Sequence, residues 1–143
     1  MPLRLAAAAL LLALTVIVHA VGLMAITRWV LRSHTLERQS FWGAAWLLVR
    51  VAWALMVIHV VEIGGWGILY WRNRLLPDIE SSVYFSGVTY TSVGYGDLVL
   101  PAPWRLLAPV EALTGILMAG LSTAFFFAVL TGLVAARKRE GEA

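Results

Sequence analysis

The sequence predicts an all-α membrane protein with three transmembrane helices, a shorter re-entrant helix and a loop that follows it. Composition is the first observation behind this prediction, because 61% of the 143 residues are hydrophobic and only 13% are charged. Soluble domains average about half apolar and about a quarter charged. The second observation is that three apolar runs are each long enough to cross a bilayer as a helix. The third is a glycine-rich segment between the last two runs.

Composition also excludes several other classes of protein. The chain has no cysteine, so neither disulfides nor thiolate metal sites are available. Its net charge of +3 does not predict a nucleic-acid partner, because the basic residues lie at the ends of apolar runs, where membrane topology accounts for them. No residues are arranged as a nucleophile with its base, and no phosphate-binding loop is present. We therefore expect no enzyme activity, no cofactor and no nucleic acid.

Residues 1–42 are predicted to form a transmembrane helix and a polar, cytoplasmic connector. The uncharged run over 5–26 has about the 20 residues that a spanning helix needs. The alternative is a cleaved signal peptide, with Val18-His19-Ala20 as its cleavage site. Because the apolar run continues past that site, it is longer than a usual signal-peptide core, and we prefer a retained helix.

A second long helix is predicted over 43–70. It has aromatic residues at both ends, as expected where a helix meets the two membrane interfaces. His59 and Glu62 are three residues apart and therefore share one helix face. Both lie well inside the predicted span, where ionisable groups are rare and usually functional.

A short helix is predicted over 79–91. Pro77 and Asp78 are typical of a helix start. About 13 residues make roughly 20 Å of helix, which is too short to span a bilayer, so we expect the helix to enter the membrane and turn back. Non-helical backbone at membrane depth is tolerated only where it is buried in protein or lines a watery cavity. The following residues, 92–97, therefore predict a pore or a buried loop.

The segment Thr91-Ser92-Val93-Gly94-Tyr95-Gly96-Asp97 is unsuited to a helix or an ordinary strand. Its two glycines permit positive φ angles that other residues rarely adopt. Such a backbone can turn successive carbonyl groups to the same side. A row of converging carbonyl oxygens is a ligand set for a hard cation.

A third spanning helix is predicted over 104–135, and a short charged tail over 137–143. Lysine and arginine predict the orientation, because cytoplasmic segments carry the excess of these residues. The connector and the tail hold six of them, against four on the other side: Arg28, Arg32, Arg38, Arg137, Lys138 and Arg139, against Arg4, Arg72, Arg74 and Arg105. This bias predicts a cytoplasmic C-terminus and an external 91–97 loop.

In this context the 91–97 segment resembles the filter of the potassium-channel pore family, in particular the small bacterial two-helix pore modules. The TVGYG loops of that family replace the hydration shell of an ion with carbonyl oxygens. The resemblance covers residues 43–136 as one pore module, made of an outer helix (43–70), a pore helix (79–91), a filter (92–97) and an inner helix (104–135). It implies a passive, potassium-selective channel in the bacterial plasma membrane. Because four loops surround the ion, it also implies a homotetramer in the lipid bilayer, with potassium as the permeant ion.

The resemblance also implies roles for individual filter residues. The backbone carbonyls that would bind potassium belong to Ser92, Val93, Gly94 and Tyr95, with Gly96 completing the filter. The residues that would support the filter are Thr91, Asp97, Tyr84 and Phe85. One departure from the family is Ser92, which stands where the family has threonine and lacks the methyl group that restricts the rotamer. Potassium selectivity is therefore open, with a weakly selective cation channel as the alternative. A separate alternative is a non-conducting membrane scaffold or accessory subunit, in which the 91–97 loop is only a buried turn.

In the inner helix, the resemblance implies a central cavity lined by residues spaced three and four apart on one face. These residues are Ile116, Ala119 and Thr123. Gly115 falls where the family often has a hinge glycine. Close helix packing, which small residues allow in membranes, is an equal alternative for this glycine.

Three ionisable residues at similar predicted depth suggest a buried polar cluster. We expect His59, Glu62 and Glu111 to meet behind the pore, because ionisable groups inside a membrane are costly and find partners. Proton sensitivity is one hypothesis for this cluster. The alternative is a set of satisfied hydrogen bonds with no role in gating.

Overall fold

The computed structural model describes residues 2–32 and 40–141, and within these ranges the chain is helical with no β-strand. The α-helices in these ranges are α1 (Pro2–Arg32), α2 (Phe41–Arg72), α3 (Ile79–Tyr90) and α4 (Leu107–Gly141), with a 3₁₀ turn at Ala102–Trp104 before α4. The predicted all-α class is confirmed.

The described residues include three helical segments that are long and apolar enough to span a membrane: Ala8–Arg32, Phe41–Arg72 and Ala102–Lys138. Many of their large apolar side chains are exposed on the outside of the bundle, Trp53 and Leu113 among them. Soluble monomers rarely expose apolar surface on this scale, so these faces are suited to a membrane rather than to water. The chain is an integral membrane protein.

Helix α2 starts two residues before the predicted position because Ser40 caps it. The Ser40 hydroxyl accepts a hydrogen bond from the N–H of Gly43 at 3.2 Å, which satisfies one of the free N–H groups of a helix start. The other end also runs two residues further than predicted, to Arg72. Helix α1 likewise continues beyond residue 26, as far as Arg32. The remainder of the predicted connector, residues 33–39, lies outside the described residues.

Helix α1 packs closely along α2. A Cβ atom on Gly22 would lie 2.5 Å from Cδ1 of Ile58, so glycine allows the two helices to approach. The buried indole N–H of Trp66 donates to Oγ1 of Thr15 at 3.2 Å. One apolar core joins α1, α2 and the end of α4, through Ile26, Val30, Leu47, Val51, Leu55 and Leu133. Helix α1 is therefore an integrated part of the bundle.

Helix α3 packs against both α2 and α4. A Cβ atom on Gly67 of α2 would lie 2.9 Å from Cα of Val83, so the two backbones are almost in contact there. The rings of Tyr70 and Phe85 meet edge to face at 5.3 Å. A second apolar core surrounds this contact and contains Ala8, Trp66, Tyr70, Leu75, Leu76, Phe85, Leu100 and Leu107.

Asp78 sets the start of α3, as predicted. Its Oδ1 accepts a hydrogen bond from the backbone N–H of Ser81 at 2.7 Å. This bond stabilises the carboxylate and holds the pKa of Asp78 below its ordinary value. Glu80 adds a second acidic residue to the first turn, where the partial positive charge of the helix dipole lies.

Helix α4 starts at Leu107, three residues later than predicted, after the 3₁₀ turn. Pro109 then lies in the first turn of the helix, where an N–H group has no intrahelical partner to lose. The late start therefore accommodates this proline. The helix runs on to Gly141, so the first part of the predicted tail is helical, and residues 142–143 lie outside the described residues.

Candidate functional site

The 91–97 loop is attached by its own backbone to the C-terminal end of α3. The N–H groups of Ser92, Val93 and Gly94 donate to the carbonyl oxygens of Thr89 (2.9 Å), Val88 (3.0 Å) and Val88 (3.2 Å), respectively. These bonds satisfy carbonyl groups that a helix end otherwise leaves free. The first half of the loop is thereby held in a defined position relative to the helix.

The backbone of the loop alternates between positive and negative φ. Ser92, Gly94 and Gly96 have φ of 61°, 58° and 76°, whereas the intervening Val93 and Tyr95 have negative φ. In an extended strand, successive carbonyl groups point to opposite sides. Alternating the sign of φ reverses every second one, so that successive carbonyl groups can face the same side. Both glycines therefore adopt the backbone angles that their presence predicts.

The carbonyl oxygens of residues 92–95 have no hydrogen-bond donor among the residues that the structure describes. The loop is also exposed over 91–97, with Val93 53% and Tyr95 71% exposed. A row of unpaired carbonyl groups in a membrane protein requires partners, which must be an ion, water or another chain.

Ser92 is one of two non-glycine residues with positive φ in the described part of the chain, the other being Arg74. A left-handed backbone costs a residue with a Cβ atom about 1–2 kcal/mol. Strained residues of this kind concentrate at functional sites, where the strain is part of the mechanism. Sequence reasoning expected positive φ only at the two glycines of this loop.

Tyr84 and Asp97 connect α3 to the far end of the loop. The Tyr84 hydroxyl donates to Oδ2 of Asp97 at 2.8 Å. This bond favours the neutral phenol beside the carboxylate and raises the pKa of Tyr84. The loop is thus tied at both ends to the same helix.

Phe85, unlike the exposed Tyr84 before it, is buried in the core against Tyr70. It also lines a cleft of about 410 Å³ between α3, the loop and the start of α4, together with Gly94 and Asp97. The two aromatics predicted to support the loop therefore do different things. Tyr84 bonds to the loop, and Phe85 packs behind it.

Gly115 of α4 lies directly against the end of α3. A Cβ atom on this residue would be 2.0 Å from the carbonyl oxygen of Tyr90 and 2.8 Å from its carbonyl carbon. No other residue fits at this distance without moving a backbone. Close packing at Gly115 is therefore a structural fact, and the hinge role stays a prediction.

The two faces of α4 differ sharply in burial. Its buried face carries polar residues as well as small and apolar ones: Glu111, Thr114, Gly115, Met118 and Ser122. The opposite face is exposed and includes the residues predicted to line a cavity, Ile116, Ala119 and Thr123. The Thr123 hydroxyl donates back to the carbonyl oxygen of Ala119 at 2.9 Å.

Glu111 is fully buried in a network with Tyr70 and Ser86. Its Oε2 accepts from the Tyr70 hydroxyl at 2.6 Å, and its Oε1 accepts from the Ser86 hydroxyl at 2.5 Å. Ser86 Oγ also lies 2.8 Å from the carbonyl oxygen of Ile63. This network joins α2, α3 and α4.

Glu62 is the centre of a second network, one turn further along α3. Its Oε1 lies 3.0 Å from Nδ1 of His19, and its Oε2 accepts from the Tyr90 hydroxyl and lies 3.4 Å from Nδ1 of His59. Nδ1 of His59 is 3.0 Å from the Tyr90 hydroxyl. Ser122 closes the network, with its Oγ 3.0 Å from Nε2 of His59 and 3.4 Å from Nε2 of His19.

The two networks correct the expectation of one shared cluster. His59 and Glu62 meet, as their spacing predicts, but Glu111 makes no hydrogen bond or ion pair with either of them in the described structure. The physical reason is that α3 lies between the two carboxylates and offers a separate hydroxyl to each, Ser86 to Glu111 and Tyr90 to Glu62.

Sequence reasoning missed five polar members of these networks: His19, Tyr70, Ser86, Tyr90 and Ser122. The signal for His19 was present, because an ionisable residue inside an apolar span is unusual. His19 was considered only as part of the possible cleavage site in the alternative that was not preferred, and it was given no role in the retained helix. The hydroxyl residues carry no such signal, since serine and tyrosine are common in membrane helices.

Comparison with known proteins identifies the class. A family model described as an ion channel matches residues 56–132. The chain belongs to this ion channel family. Protein LctB of Bacillus caldotenax is 34% identical over 113 residues, which cover 71% of this chain and 84% of LctB. No solved structure matches the chain.

The ion channel match contains the second half of α2, all of α3, the 91–97 loop and the larger part of α4. Both polar networks fall within it except for His19, which α1 contributes. Helix α1 thus lies outside the matched channel region. Its buried His19 side chain contacts Glu62 and Ser122, which lie inside that region.

Proposed function

We propose that this chain is the pore subunit of a passive, potassium-selective cation channel formed by four copies. The observation that carries the proposal is the loop backbone, in which positive φ at Ser92, Gly94 and Gly96 alternates with negative φ. Among the residues that the structure describes, none donates a hydrogen bond to the carbonyl oxygens of residues 92–95. They are free to replace water around a permeant ion.

The ion chemistry follows from these oxygens. Carbonyl groups of Ser92, Val93, Gly94 and Tyr95 carry partial negative charge and suit a hard monovalent cation that has lost its hydration shell. One loop supplies only one edge of such a path, so four copies are required to surround the ion. Potassium is the permeant ligand in this proposal, and no enzyme chemistry or resident cofactor is needed.

The position of α3 supports the same mechanism. Its 12 residues make about 18 Å of helix, too little to span a bilayer, so we place it as a re-entrant pore helix. Its C-terminal end, with the partial negative charge of the helix dipole, leads directly into the loop. This end would stabilise a cation at the inner side of the filter.

The exposed face of α4 supplies the rest of the path. Ile116, Ala119 and Thr123 are exposed in the single chain and would line a central cavity below the filter. The basic residues of the tail place the C-terminus in the cytoplasm by the positive-inside rule. The 91–97 loop then opens to the outside of the plasma membrane.

A second candidate is a channel that selects poorly between potassium and sodium. Ser92 favours it, because its side chain lacks the methyl group that fixes a threonine rotamer and its backbone is left-handed. Reversal potentials under opposed potassium and sodium gradients distinguish the two candidates. A reversal potential near that of potassium supports the first, and one near zero supports the second.

The proposed function is tested by potassium efflux from proteoliposomes, with Gly94→Ala as the test variant and Gly65→Ala as its control. A Cβ atom meets nothing within 4 Å at either glycine, but only Gly94 has positive φ. The substitution at Gly94 strains each copy by about 1–2 kcal/mol. We expect barium-sensitive efflux from the parent and the control, and a loss of about tenfold or more in Gly94→Ala. Absence of efflux from an intact parent assembly would refute the proposal.

A further inference from the structure

The network around Glu62 offers a set of atoms suited to a metal ion. Nitrogen and oxygen atoms of His19, His59 and Glu62 lie within 4.8 Å of one another. They come from α1 and α2, and the Tyr90 hydroxyl of α3 lies beside them. We propose that these residues form a buried binding site for a transition-metal dication of the zinc class, separate from the ion path.

The geometry fits a small tetrahedral ion. Metal–ligand bonds of 2.0–2.1 Å to histidine and carboxylate separate neighbouring ligand atoms by about 3.3 Å. Nδ1 of His19 lies 3.0 Å from Oε1 of Glu62, and Nδ1 of His59 lies 3.4 Å from Oε2. Each histidine is therefore at ligand spacing from one oxygen of the same carboxylate. Two imidazoles and one carboxylate are a common zinc ligand set, with a fourth position for water or another oxygen. The Tyr90 hydroxyl lies beside this set, 3.0 Å from Nδ1 of His59 and hydrogen-bonded to Oε2 of Glu62.

With neutral histidines and an ionised carboxylate, the network is one hydrogen short, and either an added proton or a bound metal ion would remove the deficit. It contains five short contacts: His19–Glu62, His59–Tyr90, Tyr90–Glu62, His59–Ser122 and His19–Ser122. Each contact needs one hydrogen. Two neutral histidines and two hydroxyls supply four, and an ionised carboxylate supplies none. One contact is therefore left without a hydrogen.

A metal ion on the two Nδ1 atoms and the carboxylate removes this deficit. Each histidine then carries its hydrogen on Nε2, and both Nε2 atoms face Oγ of Ser122. A hydroxyl oxygen has two lone pairs, so Ser122 can accept both bonds. Histidines that ligate metals almost always donate their other ring N–H to such a partner, and here one serine serves both.

The site is enclosed, and a cleft in the described part of the chain leads to it. His19 is 1% exposed and the side chain of Glu62 is fully buried, whereas the side chain of His59 is 19% exposed. His59 lines a cleft of about 350 Å³ together with Tyr90, Ser92 and Gly115. An ion arriving through this cleft would meet His59 first. Once bound, it would join α1 to α2 beside the residue that leads into the 91–97 loop.

The test is titration of the purified, chelator-treated full chain with Zn²⁺, followed by calorimetry and by thermal unfolding. We expect one Zn²⁺ per chain and a higher unfolding midpoint with Zn²⁺. Substitution of a ligand, in His19→Gln, His59→Gln or Glu62→Gln, should weaken binding about 100-fold or more, and Ser122→Ala about 10–100-fold. The control is His34→Gln, which removes the remaining histidine of the three and should leave binding unchanged.

Two results would overturn the site: no saturable Zn²⁺ binding by the parent, or equal binding in the parent and all ligand variants. Because a ligand variant can fold poorly, Ser122→Ala and the partly exposed His59→Gln provide milder tests, and each variant is first checked for the parent assembly size. The site does not rest on the proposed channel function. Potassium efflux in Zn²⁺-free proteoliposomes tests that function independently.

Discussion

Glu111 illustrates how a buried carboxylate is accommodated inside a membrane protein. It has no basic partner in the described structure, and its two oxygens instead accept hydrogen bonds from the hydroxyls of Tyr70 and Ser86. A buried polar group left without a partner costs about 1–3 kcal/mol. The three side chains therefore depend on one another, and the role of the charge itself can be separated from the role of the hydrogen bonds.

We predict that Glu111→Gln is nearly as stable as the parent and that Glu111→Ala is not. The side-chain oxygen of glutamine can still accept the hydrogen bond from the Tyr70 hydroxyl, and its NH₂ group then faces Ser86. The Ser86 hydroxyl can donate instead to the carbonyl oxygen of Ile63, 2.8 Å away. Alanine leaves the buried Tyr70 hydroxyl without an acceptor, at a cost of about 1–3 kcal/mol, and adds a cavity. Thermal unfolding of the detergent-solubilised protein measures both. Equal destabilisation by the two variants would mean that the carboxylate itself is required.

At the level of residues, the sequence predicted contacts within one element better than contacts between elements. The spacing of His59 and Glu62 predicts a shared helix face, and the two side chains do meet. Their partners His19 and Ser122 are distant in sequence, so no periodicity links them. The partners of Glu111 also come from other helices. Small residues such as Gly22 and Gly67 decide which helices pack together. The residues that they pack against cannot be predicted from the sequence alone.

One very close contact holds helix α4 against the end of α3. Gly115 lets it approach the C-terminal end of α3 until a Cβ atom would overlap the carbonyl group of Tyr90. The same carbonyl precedes the 91–97 loop by one residue. A change at this contact therefore displaces either the inner helix or the base of the loop.

We predict that Gly115→Ala destabilises the protein by at least about 1–3 kcal/mol, the usual cost of overpacking. The matched control is Gly120→Ala, in the same helix, where a Cβ atom meets nothing within 4 Å. Alanine there should be neutral or stabilising by up to about 1 kcal/mol, because it favours helix more than glycine does. Thermal unfolding of both variants tests the packing role. Equal stability of Gly115→Ala and the parent would favour the hinge interpretation.

At the level of elements, the sequence predicted the long helices and their order because length and apolar character decide them. It was less accurate for their ends. Helix α2 starts two residues before its predicted position because Ser40 caps it, and α4 starts three residues after its predicted position because a 3₁₀ turn occupies 102–104. Single hydrogen bonds and turns decide where these helices begin, and the distribution of apolar residues along the sequence does not reveal them. The start of α3 was predicted correctly because Asp78 is a strong capping residue.

At the level of the whole molecule, a single chain leaves two surfaces exposed that the proposed assembly would cover. The 91–97 loop and the Ile116 face of α4 are both exposed, although one carries free carbonyl groups and the other is largely apolar. Four copies arranged around an axis would bring four such loops together and enclose these faces. A non-conducting scaffold would need no such symmetry. Assembly and ion binding are therefore the properties that separate the proposed channel from that alternative.

The most direct measurement is anomalous X-ray scattering from crystals of the assembled protein grown with Rb⁺ in place of K⁺. The proposed channel predicts a fourfold assembly with Rb⁺ peaks on its axis, each surrounded by carbonyl oxygens of residues 92–95 from four copies. The account is contradicted by an assembly without a fourfold axis. It is equally contradicted by a fourfold assembly whose axis holds no Rb⁺ and whose carbonyl groups at residues 92–95 point into the protein.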